Sequence, residues 1–354
     1  MRRALRTLSR ADDATLTDYD TPFGLQPLRR LLARRMGEQG IEAAPEHIIL
    51  MESGTQAIDL LCRLLRQPGD TVLVDDPCYF NFHALLRAHR AEVISVPYTP
   101  SGPDVEAFAR ALSTHRPRLY STNSALHNPT GAMLSPVVAH RVLKLAEQSD
   151  VTIIEDDIFR RLHEHADSTA GGLRWASSRR AYRQLFQVAL GGRALRLYRG
   201  SAPLGRRAHR PKIATSFGSG RLSSQLVLTV LKAGSDRKHI ESVRTRLARA
   251  MSATVARLKP LGIRPWIDQP TGMFLWCSLP EGRDARGAAH KALASNVVLA
   301  PGNAFSLSHT ANGFLRFNVS QSNDERMFTV LKMALRDRQV AGTRQREVSE
   351  NVTS

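Results

Sequence analysis

The chain has 354 residues, 42% of them hydrophobic, and a net charge of +18. That is enough apolar material for a large core and more than one subdomain. No run of eighteen apolar residues occurs, so no membrane-spanning helix is expected, and the start lacks the apolar stretch of a secretory signal; a cytoplasmic location is expected. Three widely spaced cysteines, Cys62, Cys78 and Cys277, fit neither a disulfide framework nor a metal-ligand spacing.

In chain order, residues 28–36 read as a basic amphipathic helix and 48–51 as a short apolar strand, followed by a helical run over 55–65. Further strands are predicted at 70–74, 91–96, 118–122 and 151–155, with a helix at 136–148 before the last. Strands alternating with helices imply a mainly parallel α/β sheet, which places ligands beyond the carboxyl ends of its strands. A long helical pattern over 221–258 breaks near 234–236. Three short strands follow within TGMFLWCSL, NVVLAPG and GFLRFNVSQ, and a closing helix covers 324–338. This second part reads as a smaller α+β layer. The predicted division is an N-terminal segment 1–18, a large domain 19–235, a small domain 236–338 and a polar tail 339–354.

Residues 165–211 stand apart. They hold ten arginines, no lysine and one acid, Asp167, a net +9 that is half of the whole excess. Their apolar residues follow neither a period of 2 nor of 3.6. A basic loop for nucleic acid would interleave lysines and aromatics within a recognisable module; here no nucleic-acid partner is expected.

Several strand ends carry residues suited to chemistry. Gly54, Thr55 and Gln56 open a helix, where backbone N–H groups suit a phosphate; an ordinary helix cap reads the same way. Tyr79 follows a strand and could stack on an aromatic ligand, or be core. Asn128, before Pro129, could donate to a ring oxygen, or form a plain Asn-Pro turn. Asp156 ends a buried strand, where a carboxylate can keep a ring nitrogen protonated, or cap a helix. Arg316 lies among apolar neighbours and needs an anion, whether a ligand or a structural salt bridge.

The order and spacing of these pieces resemble the fold-type I aminotransferases of class I/II. They are most similar to the aminotransferase-like domain of MocR-type regulators of the GntR family. The resemblance rests on Tyr19-Asp20-Thr21-Pro22-Phe23-Gly24, the SGTQ loop, the Asp-Pro-x-Tyr turn, STNSALHNPTG, IIEDDIF, PTGMFLW, LAPGNAF and LRFNVS. It spans Tyr19 to about Ile154 and Lys212 to about Arg338. It implies a PLP-dependent transferase fold of type I: a large α/β domain with a mainly parallel, mixed sheet and a smaller α+β domain. It further implies pyridoxal 5'-phosphate as cofactor, an amino-acid substrate or effector, and a homodimer. Gly54, Thr55 and Gln56 would hold the phosphate, Tyr79 would stack on the pyridine, Asn128 would bond the phenolic oxygen and Asp156 the ring nitrogen. Arg316 would grip the substrate α-carboxylate, and Tyr19 would approach the partner's cofactor phosphate. Where the family carries a tyrosine three residues after the aspartate, this chain has Phe159. A DNA-binding helix-turn-helix, which such regulators carry ahead of this fold, is not visible.

The resemblance also requires a Schiff-base lysine in a motif like SFSK, some thirty residues after IIEDD. No lysine occurs between Lys144 and Lys212, so the covalent anchor and proton-moving amine of the chemistry are missing. Lys212 precedes a segment resembling the helix after the expected site, and is a poor surrogate. The genetic code offers a cause. YRQLFQVAL, residues 182–190, can be written TAT CGG CAG CTT TTC CAA GTC GCT CTC. Read one base later, that string gives IGSFSKSL, with the lysine codon straddling Gln187 and Val188. LRLYRG re-reads in the same frame as CGYIAG, a glycine-containing strand. The expectation is therefore a frameshifted stretch near 165–211, a catalytically impaired aminotransferase-like chain or a regulator fragment, and exposed sheet edges where a central strand is lost. Resequencing the DNA for residues 157–216 is the check: a missing or extra base should restore SFSK, whereas confirmation of the present reading leaves a chain without the lysine.

Overall fold

The computed structural model describes residues 2–9, 18–38, 43–163, 182–190, 193–199 and 202–336. The apolar runs form an eight-stranded sheet from β1 (Ile48–Met51), β2 (Thr71–Asp76), β3 (Glu92–Thr99), β4 (Gly102–Pro103), β5 (Leu119–Thr122), β6 (Thr152–Asp156), β7 (Tyr182–Leu190) and β8 (Arg193–Arg199). The strand order is β1-β8-β7-β6-β5-β2-β3-β4. Pairing is parallel from β7 through β6, β5 and β2 to β3, while β8 runs against both of its neighbours and β4 against β3. Strands β1, β2 and β5 are buried along their whole length, as expected of a sheet covered on both faces.

The covering helices are α1 (Arg2–Leu8), α2 (Gln26–Gly37), α3 (Gly54–Leu65), α4 (Phe80–Ala88), α5 (Val105–His115), α6 (Pro136–Gln148), α7 (Ala202–Ser216) and α8 (Arg221–Lys232). Local chemistry sets several of their starts. Ser135 caps α6 by accepting from the Val138 N–H, with Pro136 in the first turn, where a missing N–H costs nothing. The helix then buries Ala139, Val142 and Ala146 on one stripe. Asp104 caps α5 in the same way.

A second, antiparallel sheet has the order β11-β12-β10-β9, from β9 (Arg264–Pro265), β10 (Phe274–Ser278), β11 (Ala300–Pro301) and β12 (Phe314–Asn318). With α9 (Ser235–Leu258), α10 (Ala285–Ala294) and α11 (Glu325–Arg336) it encloses its own core around Leu275, Leu315 and Leu331. This is the large-plus-small α/β arrangement that the resemblance implies.

Three features depart from the sequence reading. Helices α4, α5 and α10 were not predicted; α10 buries only alanines, Ala285, Ala288 and Ala292, so its apolar stripe is faint. Part of the segment read as aperiodic is regular: β7 and β8 lie between β6 and β1, and α7 follows. The expected exposed edge beside β6 is therefore corrected, because the backbones of 182–190 and 193–199 supply ladder partners on both sides. Residues 165–181, 191–192 and 200–201 of that segment, and the tail 339–354, lie outside the described residues.

One charged knot ties the two parts together. Asp236, in the first turn of α9 and 5% exposed, accepts from Arg35 of α2 at 2.7 Å and from Arg161 at 3.0 Å. Arg35 also donates to the Leu231 carbonyl, and Arg244 of α9 to the Arg161 carbonyl. Burial would raise the Asp236 carboxyl; the hydrogen bonds and charge of Arg35 and Arg161 outweigh it and hold the group below its ordinary value. Asp236→Ala should cost about 2 kcal/mol, between a surface and a fully buried ion pair. A lowered folded value means that the contribution is full above the ordinary carboxylate range and fades as pH falls through it and below. Urea unfolding of wild type and Asp236→Asn should thus differ at pH 7 and converge in acid.

Candidate active site

The parallel strands end on one edge of the large sheet, and the loops there meet the small sheet around a cavity of ≈320 Å³. Gly54 and Thr55, at the start of α3, line it, as do Tyr79, Asn128, Asp156, Phe159 and Arg316. Ser53 caps α3 by accepting from the Gln56 N–H at 3.0 Å. The N–H groups of Gly54 and Thr55 lie in the first turn, which has no earlier carbonyl to bond. Gln56 departs from the sequence reading: its N–H is held by Ser53 and its carboxamide oxygen accepts from the Glu52 N–H at 2.8 Å. It does not line the cavity, because capping the helix uses the groups that a phosphate would need.

Asn123, at the end of β5, joins two of the expected groups. Its oxygen accepts from the Asn128 N–H at 2.7 Å, and its amide donates to the Asp156 carbonyl. Sequence reasoning passed over Asn123, since an asparagine after a strand reads as a turn. The Asp156 carboxylate accepts from the Ile158 N–H at 3.3 Å, turning the chain so that Phe159 reaches the cavity. The Tyr79 hydroxyl accepts from the Asn81 amide at 3.0 Å.

Below this layer is a buried polar tier. Asp75 accepts from the Tyr120 hydroxyl at 2.5 Å and from the Thr122 hydroxyl at 2.7 Å, and lies 3.4 Å from His127 Nε2. Tyr98 stacks on the His127 ring with centroids 3.9 Å apart. Asp75 stands four residues before Tyr79 and His127 one before Asn128, so this tier braces the two loops from beneath.

Arg316 comes from β12, opposite Trp276 in the ladder. Its guanidinium lies 5.0 Å from the Phe274 ring centroid and 4.9 Å from that of Phe305. Nη1 donates to the Asn128 side-chain oxygen at 3.1 Å, and Nε is buried without a hydrogen-bond partner. Burial pushes the guanidinium down from its ordinary value, but arginine remains a cation. A buried donor without a partner is costly, and an anion in the cavity would relieve it.

None of the seven lysines lines the cavity. Lys212 is 1% exposed, and Nζ donates to the Pro22 carbonyl at 2.5 Å, the Leu50 carbonyl at 2.7 Å and the Ser219 hydroxyl at 3.3 Å. It fastens the 19–24 loop to β1. Burial lowers its amine to about 8, against the pull of Glu52 and Asp20. Lys291 is half-buried on α10, and the other five are exposed. Gln187 and Val188 belong to β7, opposite Arg196 and Leu195. Tyr19 is 82% exposed, against the edge of Phe217, and away from the cavity of its own chain.

A two-sheet α/β fold whose strand-end cavity brings together a helix start, a carboxylate and a buried arginine defines a class that comparison makes definite: the chain belongs to the aminotransferase class I and II family, whose profile matches residues 1–183 and 206–332. The uncharacterized HTH-type transcriptional regulator YdcR of Escherichia coli (strain K12) is 27% identical over 341 residues, covering 92% of this chain and 70% of its own. The 2-aminoadipate transaminase of Thermus thermophilus is 26% identical, covering 91% and 81%. Among solved structures, LysN, the α-aminoadipate aminotransferase from Thermus thermophilus complexed with N-(5'-phosphopyridoxyl)-L-leucine, superposes with a TM-score of 0.82. It is 24% identical, over 94% of this chain and 87% of its own, and shows the shared fold.

The bonds of Lys212 predict its reactivity. After incubation with pyridoxal phosphate and borohydride reduction, peptide mass spectrometry should find Lys212 unlabelled. Stoichiometric labelling there would mean that α7 leaves the position seen here.

Proposed function

We propose that this chain binds pyridoxal 5'-phosphate noncovalently, together with an amino-acid ligand, in the cavity at the strand ends, and that it does not turn over as an aminotransferase. The observation that carries this reading is the composition of the cavity wall: groups suited to phosphate, ring and carboxylate converge there, while no lysine lines it. The noncovalent groups fit the cofactor. The Gly54 and Thr55 N–H groups would hold its phosphate, Tyr79 would cover the ring, Asn128 would bond the phenolic oxygen, and the Asp156 carboxylate would keep the ring nitrogen protonated. Arg316 would hold the α-carboxylate of the amino acid. When bound, the cofactor supplies an electron sink for charge developing at the amino-acid α-carbon. Moving the α-proton needs an amine at that carbon, and no side chain of the cavity wall offers one. Phe159 adds a nonpolar wall without a hydroxyl for the phenolic oxygen.

A displaced reading frame accounts for the missing amine. The family profile breaks off after residue 183 and resumes at 206, which brackets the Gln187–Val188 position of the hidden lysine codon. The chain is similar both to an HTH-type transcriptional regulator and to a transaminase, so the noncovalent reading rests on the cavity wall and not on these likenesses. A homodimer is part of the proposal: Tyr19 and Phe217, 5.6 Å apart edge to face and both exposed, offer an aromatic surface to a second copy.

Equilibrium dialysis with pyridoxal phosphate tests this. The chain should bind the cofactor reversibly, lose it on gel filtration and retain no added mass after borohydride. Asp156→Ala should weaken binding at least about tenfold, the loss of one charge-assisted contact. Replacing residues 183–190 by IGSFSKSL should give a borohydride-fixed adduct. A stoichiometric borohydride-fixed adduct in the unaltered chain, mapped by peptide mass spectrometry to a residue at the cavity and not to the exposed lysines, would refute the noncovalent reading.

A further inference from the structure

We infer that Met133 is a site of reversible oxidation by small hydroperoxides, and that its sulfoxide loosens the loop that carries Asn128; the effect on cofactor binding rests on the reading of the cavity given above. Residues 124–134 fold back on themselves. The Leu134 N–H donates to the Ser124 carbonyl at 2.9 Å, the His127 N–H to the Ala132 carbonyl at 2.9 Å and the Gly131 N–H to the His127 carbonyl at 2.6 Å. The Leu126 N–H donates instead to the thioether sulfur of Met133 at 3.1 Å. Thioether sulfur is a weak acceptor, so this is the weak closure of the loop. Leu126 depends on its surroundings: at φ +52° it holds a left-handed backbone that leucine rarely adopts. Its side chain is 1% exposed and lies where a Cβ on Gly272 would come within 2.7 Å. Gly272 leads into Met273 and Phe274 of the cavity wall. Leu126 therefore stands between the Asn128 loop and the β10 part of the wall.

Every residue from Ser121 to Leu134 is buried except Met133, which is half-buried. Met133 lines a second cavity of ≈400 Å³, together with Pro100, Gly131, Ala132 and Ile267. A molecule the size of water takes about 30 Å³, so hydrogen peroxide has room there. In the reaction a sulfur lone pair attacks one peroxide oxygen. The S–O bond forms and the O–O bond breaks; the proton of the transferred oxygen moves to the departing hydroxide, which leaves as water. Sulfur is oxidised and the peroxide reduced. The product is a polar sulfoxide in place of an apolar thioether, and it is reversible by reductases. The oxidised sulfur carries partial positive charge and no longer suits an N–H. Its new oxygen does, one bond further out, so Leu126 either loses its partner or shifts. Asn128 stands two residues on and shares that movement.

The test follows three readouts on the full chain after mild treatment with hydrogen peroxide. Peptide mass spectrometry should find sulfoxide at Met133 before Met51 and Met251, which are 0% and 4% exposed. Amide hydrogen exchange, read without cofactor, should speed up about tenfold at Leu126. Pyridoxal phosphate affinity, read by dialysis, should fall at least about fivefold, and methionine sulfoxide reductase should restore both. Met273 is half-buried on the wall of the cofactor cavity and is a second target. Each step is therefore repeated with Met273→Leu and with Met133→Leu, every variant compared with its own untreated form. The changes should persist in Met273→Leu and vanish in Met133→Leu. A Met133 that stays unoxidised while the exposed Met333 reacts, or that becomes sulfoxide with Leu126 exchange unchanged, overturns the inference. Faster exchange with unaltered affinity overturns the coupling to the cofactor. Faster exchange in a chain that binds no pyridoxal phosphate, treated or untreated, leaves the loop effect standing and overturns the cofactor reading.

Discussion

The parallel pairing of β5 with β6 is the constraint on which the site depends. It brings Thr122 opposite Glu155 and lets both strands end at the same level. Asn123 then bonds in two directions, to the Asn128 N–H and to the Asp156 carbonyl. An asparagine offers both an acceptor and a donor on one planar group, so a single side chain fixes the distance between the loop that carries Asn128 and the strand end that carries Asp156. Arg316 is placed in turn, since its guanidinium donates to Asn128. The small sheet thereby meets the large one through a hydrogen bond that traces back to β5.

Beneath that layer, burial of charge is tolerated because each group is paired. Arg160, 5% exposed, donates to Asp157 at 2.5 Å, and the Glu155 side chain, fully buried, accepts from the Ser124 hydroxyl. Asp75 collects two hydroxyls and faces His127. Isolated, any of these carboxylates would be costly. Together they form a rigid polar floor whose members stand next to cavity residues in the chain: Glu155 beside Asp156, Ser124 beside Asn123, His127 beside Asn128. Polar groups in this interior set where the neighbouring cavity groups point, while apolar packing sets where the strands lie.

What could be read from the sequence follows the same division. Strand β1 and helix α6 coincide with the predicted 48–51 and 136–148, because an apolar run with clear caps is a local signal. The break at 234–236 was legible from Gly234, which adopts a left-handed φ of +64° there. Cavity residues Tyr79, Asn128, Asp156 and Arg316 were legible from strand ends and motif order. Asn123 was not, since its role exists only once β6 lies beside β5. Gln56 was misplaced because the helix start competes for its groups, a competition that spacing does not reveal. The 182–199 stretch was misjudged for a related reason: a strand buried in a sheet is specified as much by the ladders offered on either side as by its own alternation.

The same reasoning separates the fate of the cavity from the fate of the amine. The described wall is built by the start of α3, the turn before α4, the ends of β5 and β6, and β10 and β12. None of these elements lies within 164–206. Lys212 stands just beyond that stretch and is spent on the carbonyls of Pro22 and Leu50, so it holds the 19–24 loop in place without reaching the cavity. A change confined to the intervening residues leaves Gly54, Thr55, Tyr79, Asn128, Asp156 and Arg316 on elements outside it. On the proposed reading, covalent chemistry and ligand recognition would fall to different parts of the chain.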